Sequence, residues 1–231
     1  SVITLSTEPT NHPLPKMPMT DSSNATSGPP FWAKARRHLI QTDPVLAQIV
    51  KSFGRAQLVP RNDAFFSLAR SIVGQQISVK AAQSIWDKLA NELGAVTVKK
   101  VASANHNRLR GCGITRQKSG YLLDLAAHFQ NDKLDTKGWR KLDDEQVIKD
   151  LIQVKGIGRW TAEMFLIFHL LRPDVLPLGD IGIQRAMRLH FNGGRPMSDD
   201  AMISKAESWR PWRSVAIWYL WRSLDPEPVD Y

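Results

Sequence analysis

The sequence has a single cysteine, Cys112, among its 231 residues. One thiol excludes an intramolecular disulfide, and it also excludes a zinc or iron–sulfur site built from four cysteines. No apolar run approaches the roughly 20 residues that span a bilayer. The first residues also lack the basic-then-apolar order of a secretory signal. We therefore expect a soluble intracellular protein, in the cytoplasm of a bacterium or the nucleus of a eukaryote.

Alternation of polar and apolar residues, the pattern of β-strands, is also lacking. Apolar residues recur instead at helical spacing, with capping residues before the segments. The sequence therefore predicts an all-α fold. The predicted starts and ends are Asp43-Pro44 with Gly54 at the end, Asn62 before 63–74, Ser78 before 79–93 with Gly94 at the end, Thr115 before a segment through Phe129, Asp143 and Asp144 before 145–152, Gly158 before 159–171, Ser198 before 199–209, and a last helix over about 212–224.

Composition and breakpoints suggest how the chain is divided. Residues 1–30 are rich in Pro, Ser, Thr and Asn, which is typical of a disordered tail. The clearest interior breakpoints are Pro60-Arg61-Asn62 and Arg172-Pro173-Asp174. We expect a central helical subdomain over 61–172. A second subdomain would combine 31–60 with 173–231, and a cleft would lie between the two.

The charge balance is strongly basic. Lys and Arg number 31 against 22 Asp and Glu, so the formal net charge is +9. Such a surplus suits a polyanionic partner, because Lys and Arg at phosphates release counterions. A merely basic surface on a soluble enzyme gives the same count, so charge alone does not decide.

The most informative stretch is LIQVKGIGRWTA, residues 151–162. It predicts a helix, a tight turn at Gly156-Ile157-Gly158, and a second helix that starts at once. Ile157 can fill the space between the two helices. The N–H groups that begin the second helix would face outward and suit a phosphate, with Lys155 and Arg159 adding charge. An ordinary glycine-closed connection remains the alternative.

At these residues the chain resembles a known family. VKGIGRWTA, followed by LPLGDIGIQRAM, is similar to the helix-hairpin-helix DNA glycosylase superfamily. SIVGQQISVKAA and WRPWRSVAIWYLW resemble its DNA-3-methyladenine glycosylase II branch, which acts in alkylation repair. The resemblance covers about residues 61–224. It departs from the family pattern at Lys155, where proline is usual, and at Leu178-Gly179 before the aspartate.

The resemblance implies that Asp180 is the catalytic carboxylate. Asp180 heads the apolar-periodic segment IGIQRAMRLHF, and local sequence alone favours a plain helix cap there. The two roles are compatible, because a helix N-terminus stabilises an ionised carboxylate. Bifunctional members carry a nucleophilic lysine at the position of Trp160, so the resemblance implies a monofunctional enzyme that leaves an abasic site. Lys155 would face phosphate and is a poor substitute nucleophile.

The resemblance also implies a base pocket and a DNA interface. An aromatic pocket suits a flipped cationic base, and the candidates are Trp160, Met164 and Trp221. In the family the loop over 74–78 fills the gap left by the flipped base, with Gln76 as the wedge. Arg116 and Lys118 are further candidates for holding phosphates. The predicted DNA-binding residues are Lys155, Gly156, Ile157, Gly158, Arg159, Thr161, Gln75 and Gln76.

No cofactor is required by this interpretation. Family members hold a monovalent cation at the hairpin, which implies a sodium or potassium ion on the backbone carbonyls of Ile152, Val154 and Ile157. Three alternatives stay open: a helix-hairpin-helix glycosylase for other lesions, a non-catalytic DNA-binding module, and a basic helical protein–protein adaptor. The expected partner is double-stranded DNA with a damaged base, and the expected state is a monomer.

Overall fold

The computed structural model describes residues 28–60 and 63–224. Within those ranges the chain forms α-helices and two 3-10 turns, and it contains no strand, so the all-α prediction is confirmed. The helices are α1 (Trp32–Thr42), α2 (Pro44–Ser52), α3 (Ala64–Gly74), α4 (Val79–Leu93), α5 (Val98–Ala102), α6 (His106–Gly111), α7 (Arg116–Gln130), α8 (Asp144–Leu151), α9 (Arg159–Phe168), α10 (Ile181–Phe191), α11 (Asp199–Ala206) and α12 (Arg213–Leu224), and the 3-10 turns are Gly138–Lys141 and Glu207–Trp209.

Side-chain caps begin most of these helices, as the sequence predicts. The side chains of Ser78, Thr115 and Ser198 accept hydrogen bonds from the first turns of α4, α7 and α11. Asp143 forms a full capping box with Gln146 at α8. The cap predicted at Asn62 is wrong, because Asp63 accepts the bond from Phe66 N at 2.6 Å. Asn62 itself, like residues 1–27 of the predicted tail, lies outside the described residues.

Three helices are absent from the predictions, and two predicted helices are too long: the one expected over 199–209 ends at Ala206, where a 3-10 turn follows, and α9 is the other. α5 and α6 have only 5 and 6 residues, too few for an apolar period to show, whereas α1 buries Trp32, Ala35 and Leu39 at a helical spacing that the sequence contains. Helix α9 ends at Phe168 rather than 171. Leu171 takes a left-handed conformation with φ 56° and Pro173 follows, so the helix cannot continue.

The helices bury one continuous apolar core. Helices α1 and α2 pack together and against α12, which also packs on α10, while α7 packs on α3, α5 and α6. Five of the eight tryptophans are buried in this core, and the half-buried ones are Trp160, Trp212 and Trp221. The core therefore explains most of the tryptophans, and the two that we predicted to line a pocket are among the three half-buried ones. No helix in the described part of the chain is long and apolar enough to cross a membrane.

Candidate active site and DNA-binding hairpin

The predicted hairpin forms between α8 and α9. Ile157 is buried between the helices, as predicted, and Gly156 takes a φ of 85°, a region that favours glycine. A Cβ at Gly156 would lie 2.2 Å from the Tyr121 ring, so the turn also requires glycine for space. Gly158 is the N-cap of α9 and has no side chain to bind the first N–H groups of the helix. Those groups are therefore available to an anion.

The charges around the hairpin differ from the prediction. Lys155 is exposed, and its backbone N donates to Asp124 Oδ2 at 2.8 Å. Arg159, expected to add charge for phosphate, instead donates to both oxygens of Glu145 and to Glu163 Oε1 at 3.0 Å. The bonds to Glu145 are the main reason that the pKa of Arg159 lies above its ordinary value. Two carboxylates thus offset the guanidinium charge.

Thr161 lies inside the protein. Its exposed fraction is only 5%, because it is on the face of α9 that packs into the core. The DNA contact expected of Thr161 stays a prediction, and its backbone N–H, in the first turn of α9, is the group suited to a phosphate.

Asp180 lies at the N-cap of α10, where three donors hold its carboxylate. Ile183 N donates to Oδ1 at 2.7 Å, which is the helix-capping bond. The indole Nε1 of Trp221 donates to Oδ1 at 2.8 Å, and Nε1 of Trp160 donates to Oδ2 at 2.7 Å. Asp180 is 2% exposed. Three of the predicted site residues therefore meet at one buried carboxylate, although they are 20 and 41 positions apart in sequence.

A second buried aspartate shows what a purely structural cap looks like in this protein. Asp43 caps α2 and accepts from Trp209 Nε1 at 3.0 Å, but it also pairs with Lys205 Nζ at 2.8 Å. Burial raises the pKa of Asp43, yet the bonds from Lys205 and Trp209 outweigh it and hold the pKa below its usual value. In the described part of the chain, no Lys, Arg or His nitrogen lies within 4.0 Å of the Asp180 carboxylate. Its negative charge is thus held by neutral donors and left available to a cation.

The two remaining features of the predicted pocket are an aromatic wall and Met164. The Trp221 ring lies 5.6 Å from the ring of Phe168, centre to centre. Trp160, Met164 and Phe168 follow one another at intervals of four on α9 and so share a face. Phe168 is absent from the predictions, although this spacing was a readable signal. Met164 is half-buried against the core, one turn beyond Trp160.

Glu163 is a buried acidic residue that sequence reasoning missed. It lies beside the site on α9, with its side chain 8% exposed. Burial is the main cause that raises the pKa of Glu163, the charge of Arg159 opposes it, and the charge of Asp180 adds to it. The spacing of Arg159 and Glu163 predicts their pairing on a helix, but nothing local predicts the burial.

The loop over residues 74–78 reaches the hairpin. Gln75 Nε2 donates to Gly156 O at 2.8 Å, and Gln76 is exposed with a left-handed φ of 58°. Lys118, a candidate for holding phosphate, is instead engaged with this loop: Nζ donates to Val73 O at 2.8 Å and to Gln75 O at 2.6 Å. The phosphate role expected for Lys118 is therefore corrected. Arg116 is exposed and lines a surface groove of about 520 Å³ together with Lys155.

The hairpin carbonyls suit a monovalent cation in chemistry. The carbonyl of Val154 accepts from Ile157 N at 3.1 Å and keeps one lone pair. No N–H of the described chain donates to the carbonyl of Ile152 or Ile157. Carbonyl oxygens are hard ligands, and these three residues would hold the ion. No cluster of His, Cys, Asp and Glu that could bind a metal occurs among the described residues.

Several known proteins are similar to this chain in sequence and fold. Residues 69–214 match the family described as "HhH-GPD superfamily base excision DNA repair protein". The chain is 30% identical over 197 residues to DNA-3-methyladenine glycosylase 1 of Schizosaccharomyces pombe, covering 82% of this chain and 86% of that one. The crystal structure of a DNA-3-methyladenine glycosidase from Bacillus halodurans superposes with a TM-score of 0.76 at 32% identity, covering 83% and 89%. A Schizosaccharomyces pombe 3-methyladenine DNA glycosylase in complex with abasic DNA gives 0.74 at 28% identity, covering 86% and 100%. The chain therefore belongs to the HhH-GPD superfamily of base excision DNA repair proteins.

Proposed function

We propose that the protein is a monofunctional DNA glycosylase for alkylated bases of the 3-methyladenine type. It flips the base out of the duplex, hydrolyses the N-glycosidic bond and leaves an abasic site. The observation that carries the proposal is the Asp180 carboxylate, buried between Trp160 and Trp221 with no Lys, Arg or His of the described residues paired to it. The relatives, whose names describe DNA-3-methyladenine glycosylases, support the class of base.

The charge of Asp180 fits the charge that develops in this reaction. As the bond from the sugar carbon to the base nitrogen breaks, its electron pair leaves with the base and the sugar becomes oxocarbenium-like. An anion fixed by three hydrogen bonds stabilises that cation without reorganising. Water then adds to the sugar carbon and gives up its proton to the solvent, so that the abasic sugar carries a hydroxyl group. A buried carboxylate already paired with lysine, like Asp43, would be a weaker stabiliser.

An alkylated purine needs little further help to leave. It carries a positive charge, so taking up the electron pair makes it neutral and no strong general acid is required. Positive charge is attracted to aromatic faces. The indoles of Trp160 and Trp221 have their N–H edges on Asp180, and Phe168 lies behind Trp221. A flipped base near Asp180 would therefore meet aromatic surface.

The absence of strand cleavage follows from Trp160. In bifunctional members of the resembled family, an amine at this position attacks the sugar and forms a Schiff base. An indole nitrogen has no such reactivity, and Nε1 of Trp160 is occupied with Asp180. The protein should release the base and leave both strands uncut.

The hairpin would bind duplex DNA. The free N–H groups that begin α9 and the exposed Lys155 suit a backbone phosphate, and a hairpin cation on the carbonyls of Ile152, Val154 and Ile157 would add positive charge. The protein is expected to act on the duplex as a monomer. Its affinity should fall steeply as salt concentration rises.

The test compares base release by the native protein and Asp180→Asn on methylated duplex DNA. Asparagine keeps an oxygen at the Oδ1 position, which accepts from both Ile183 N and Trp221 Nε1, so the helix cap is retained. The changes are the lost charge and the lost bond from Trp160. We expect the native protein to free methylated purines and leave alkali-labile, uncut strands. Asp180→Asn should be slower by at least about 100-fold.

Asp199→Asn is the matched control, because Asp199 is exposed in the first turn of α11 and lies outside the site. It should release bases at the native rate. If the native protein binds duplex DNA but frees no methylated base, the substrate proposal fails. Equal rates for the native protein and Asp180→Asn would contradict the role of the carboxylate.

A further inference from the structure

One face of α7 contacts both DNA-facing elements of the site. Lys118, Tyr121 and Asp124 are spaced by three residues and therefore lie on one side of the helix. Lys118 binds the loop over 74–78, whereas Tyr121 packs on Gly156 and Asp124 accepts from Lys155 N at 2.8 Å. Lys118 and Asp124 are separated by six residues, or about 9 Å along the helix axis. The helix thus sets the distance between the loop and the hairpin.

Lys118 makes the contact that fixes the loop. Its ammonium donates to Val73 O at 2.8 Å and to Gln75 O at 2.6 Å, where α3 ends. A cation is favourable at this end of a helix, because the unpaired carbonyls carry partial negative charge. The side chain is half-buried, and burial lowers the pKa of Lys118. The ammonium is therefore directed into the protein, beneath the loop.

Gln75 ties the same loop to the hairpin. Its backbone carbonyl accepts from Lys118, and its side-chain Nε2 donates to Gly156 O at 2.8 Å. The next residue, Gln76, is exposed and has a left-handed φ of 58°, which is unfavourable for a residue with a Cβ. Such a conformation persists only where neighbouring contacts impose it. The bonds from Lys118 and to Gly156 join Gln75 to other elements, and its own N–H donates to Ile72 O at 3.3 Å, so these three bonds fix the residue next to Gln76.

We propose that Lys118 is a positioning residue that holds Gln76 outward, at a set distance from the hairpin, so that Gln76 can enter the DNA stack. The proposal rests on the proposed function, because Gln76 can fill the space left by a flipped base only if the protein flips bases. Lys118 acts through Gln75 and does not touch DNA. When the hairpin binds a phosphate, Gln76 is then placed at a defined base step along the duplex.

The test measures binding and wedge insertion separately, on a duplex with a tetrahydrofuran abasic analogue opposite 2-aminopurine. Fluorescence of 2-aminopurine rises when it loses stacking, so its amplitude at saturating protein reports insertion. The variants are Lys118→Met, Gln75→Ala and Gln76→Ala. The control is Lys133→Met, which removes an exposed lysine just beyond α7. The salt dependence of the dissociation constant is measured for each protein.

We expect Lys118→Met and Gln76→Ala to lower the fluorescence amplitude at saturation by about twofold or more, while Lys133→Met keeps the native amplitude. Gln75→Ala should also lower it, and it carries the test if Lys118→Met does not fold. The slope of log affinity against log salt should stay the same for Lys118→Met. A phosphate contact would instead lower that slope by about one.

Three results would overturn the inference. They are a native amplitude for Lys118→Met, a reduced salt slope for that variant, and a native protein that binds without any rise in fluorescence. None of these readouts requires base release. A native protein that inserts the wedge but frees no methylated purine would therefore refute the proposed function and leave the positioning role standing.

Discussion

Replacing Trp160 or Trp221 with phenylalanine removes one indole N–H from the Asp180 carboxylate and keeps an aromatic ring. Trp160 Nε1 lies 2.7 Å from Oδ2, and Trp221 Nε1 lies 2.8 Å from Oδ1. Both distances lie within the range of strong N–H bonds to a charged acceptor. Each substitution leaves the capping bond from Ile183 N in place. The variants therefore test what the indole hydrogen bonds contribute while the Asp180 carboxylate itself is kept.

The expected loss in the rate of base release follows from the burial of Asp180. A hydrogen bond to a charged group contributes about 1.5–3 kcal/mol. With the residue 2% exposed, water can replace the lost donor only in part. If the ionised carboxylate stabilises the sugar cation, each variant should slow base release by roughly 10-fold to 150-fold. Because both indoles bind one carboxylate, the double variant should lose less than the product of the two factors.

The assay is single-turnover release of a methylated purine from duplex DNA, with protein in excess. Trp209→Phe is the matched control, since it removes an indole bond from the other buried cap, Asp43. That variant should lower the unfolding temperature and leave the rate of base release near the native value. Native rates in both Trp160→Phe and Trp221→Phe would refute the argument that the indoles prepare Asp180 for the reaction.

Two further substitutions test the hairpin. Glu145→Gln weakens the pairing that holds Arg159, so duplex affinity at low salt should rise by a few-fold and the salt slope should steepen by up to about one. The same change at Glu92, which pairs with an arginine away from the site, is the control, and equal effects at both would contradict a role for Arg159. Gly156→Ala should destabilise the protein by more than about 2 kcal/mol, because its φ is 85° and its Cβ would meet a ring at 2.2 Å. Gly158→Ala has open space and an ordinary φ of −93°, so thermal unfolding should place it within about 1 kcal/mol of the native protein, and a similar loss in both variants would refute this reasoning.

Local signals predicted much of the fold because they act over a few residues. Ser78 and Thr115 cap the helices expected of them, and the hairpin turns at Gly156 with Ile157 beneath it. Capping bonds and glycine turns depend on neighbours within about one helical turn, so the sequence contains them directly. The five-residue helix α5 was missed because it has too few positions to show a period.

Charged side chains were harder to assign, because their partners lie far along the chain. Arg159 is next to the hairpin in sequence, but it pairs with Glu145, 14 residues earlier. Lys118 lies in the basic first turn of α7, yet its ammonium binds carbonyls that are 43 and 45 residues away in sequence. Both looked like phosphate ligands, since an unpaired cation and a paired one have the same local sequence. Tertiary packing decides which of them is free to meet DNA.

The two buried aspartates show the same limit at the proposed catalytic centre. Asp43 and Asp180 each cap a helix and each accept from tryptophan indoles, so neither the residue type nor the cap distinguishes them. The difference is Lys205, which lies 162 positions from Asp43 and neutralises it, while the partners of Asp180 in the described chain are neutral donors. A buried carboxylate without a cation is unfavourable for stability, because charge is costly to bury. Folding alone gives no reason to keep one, whereas a reaction that creates positive charge beside it does, and on this ground we propose that Asp180 carries the chemistry.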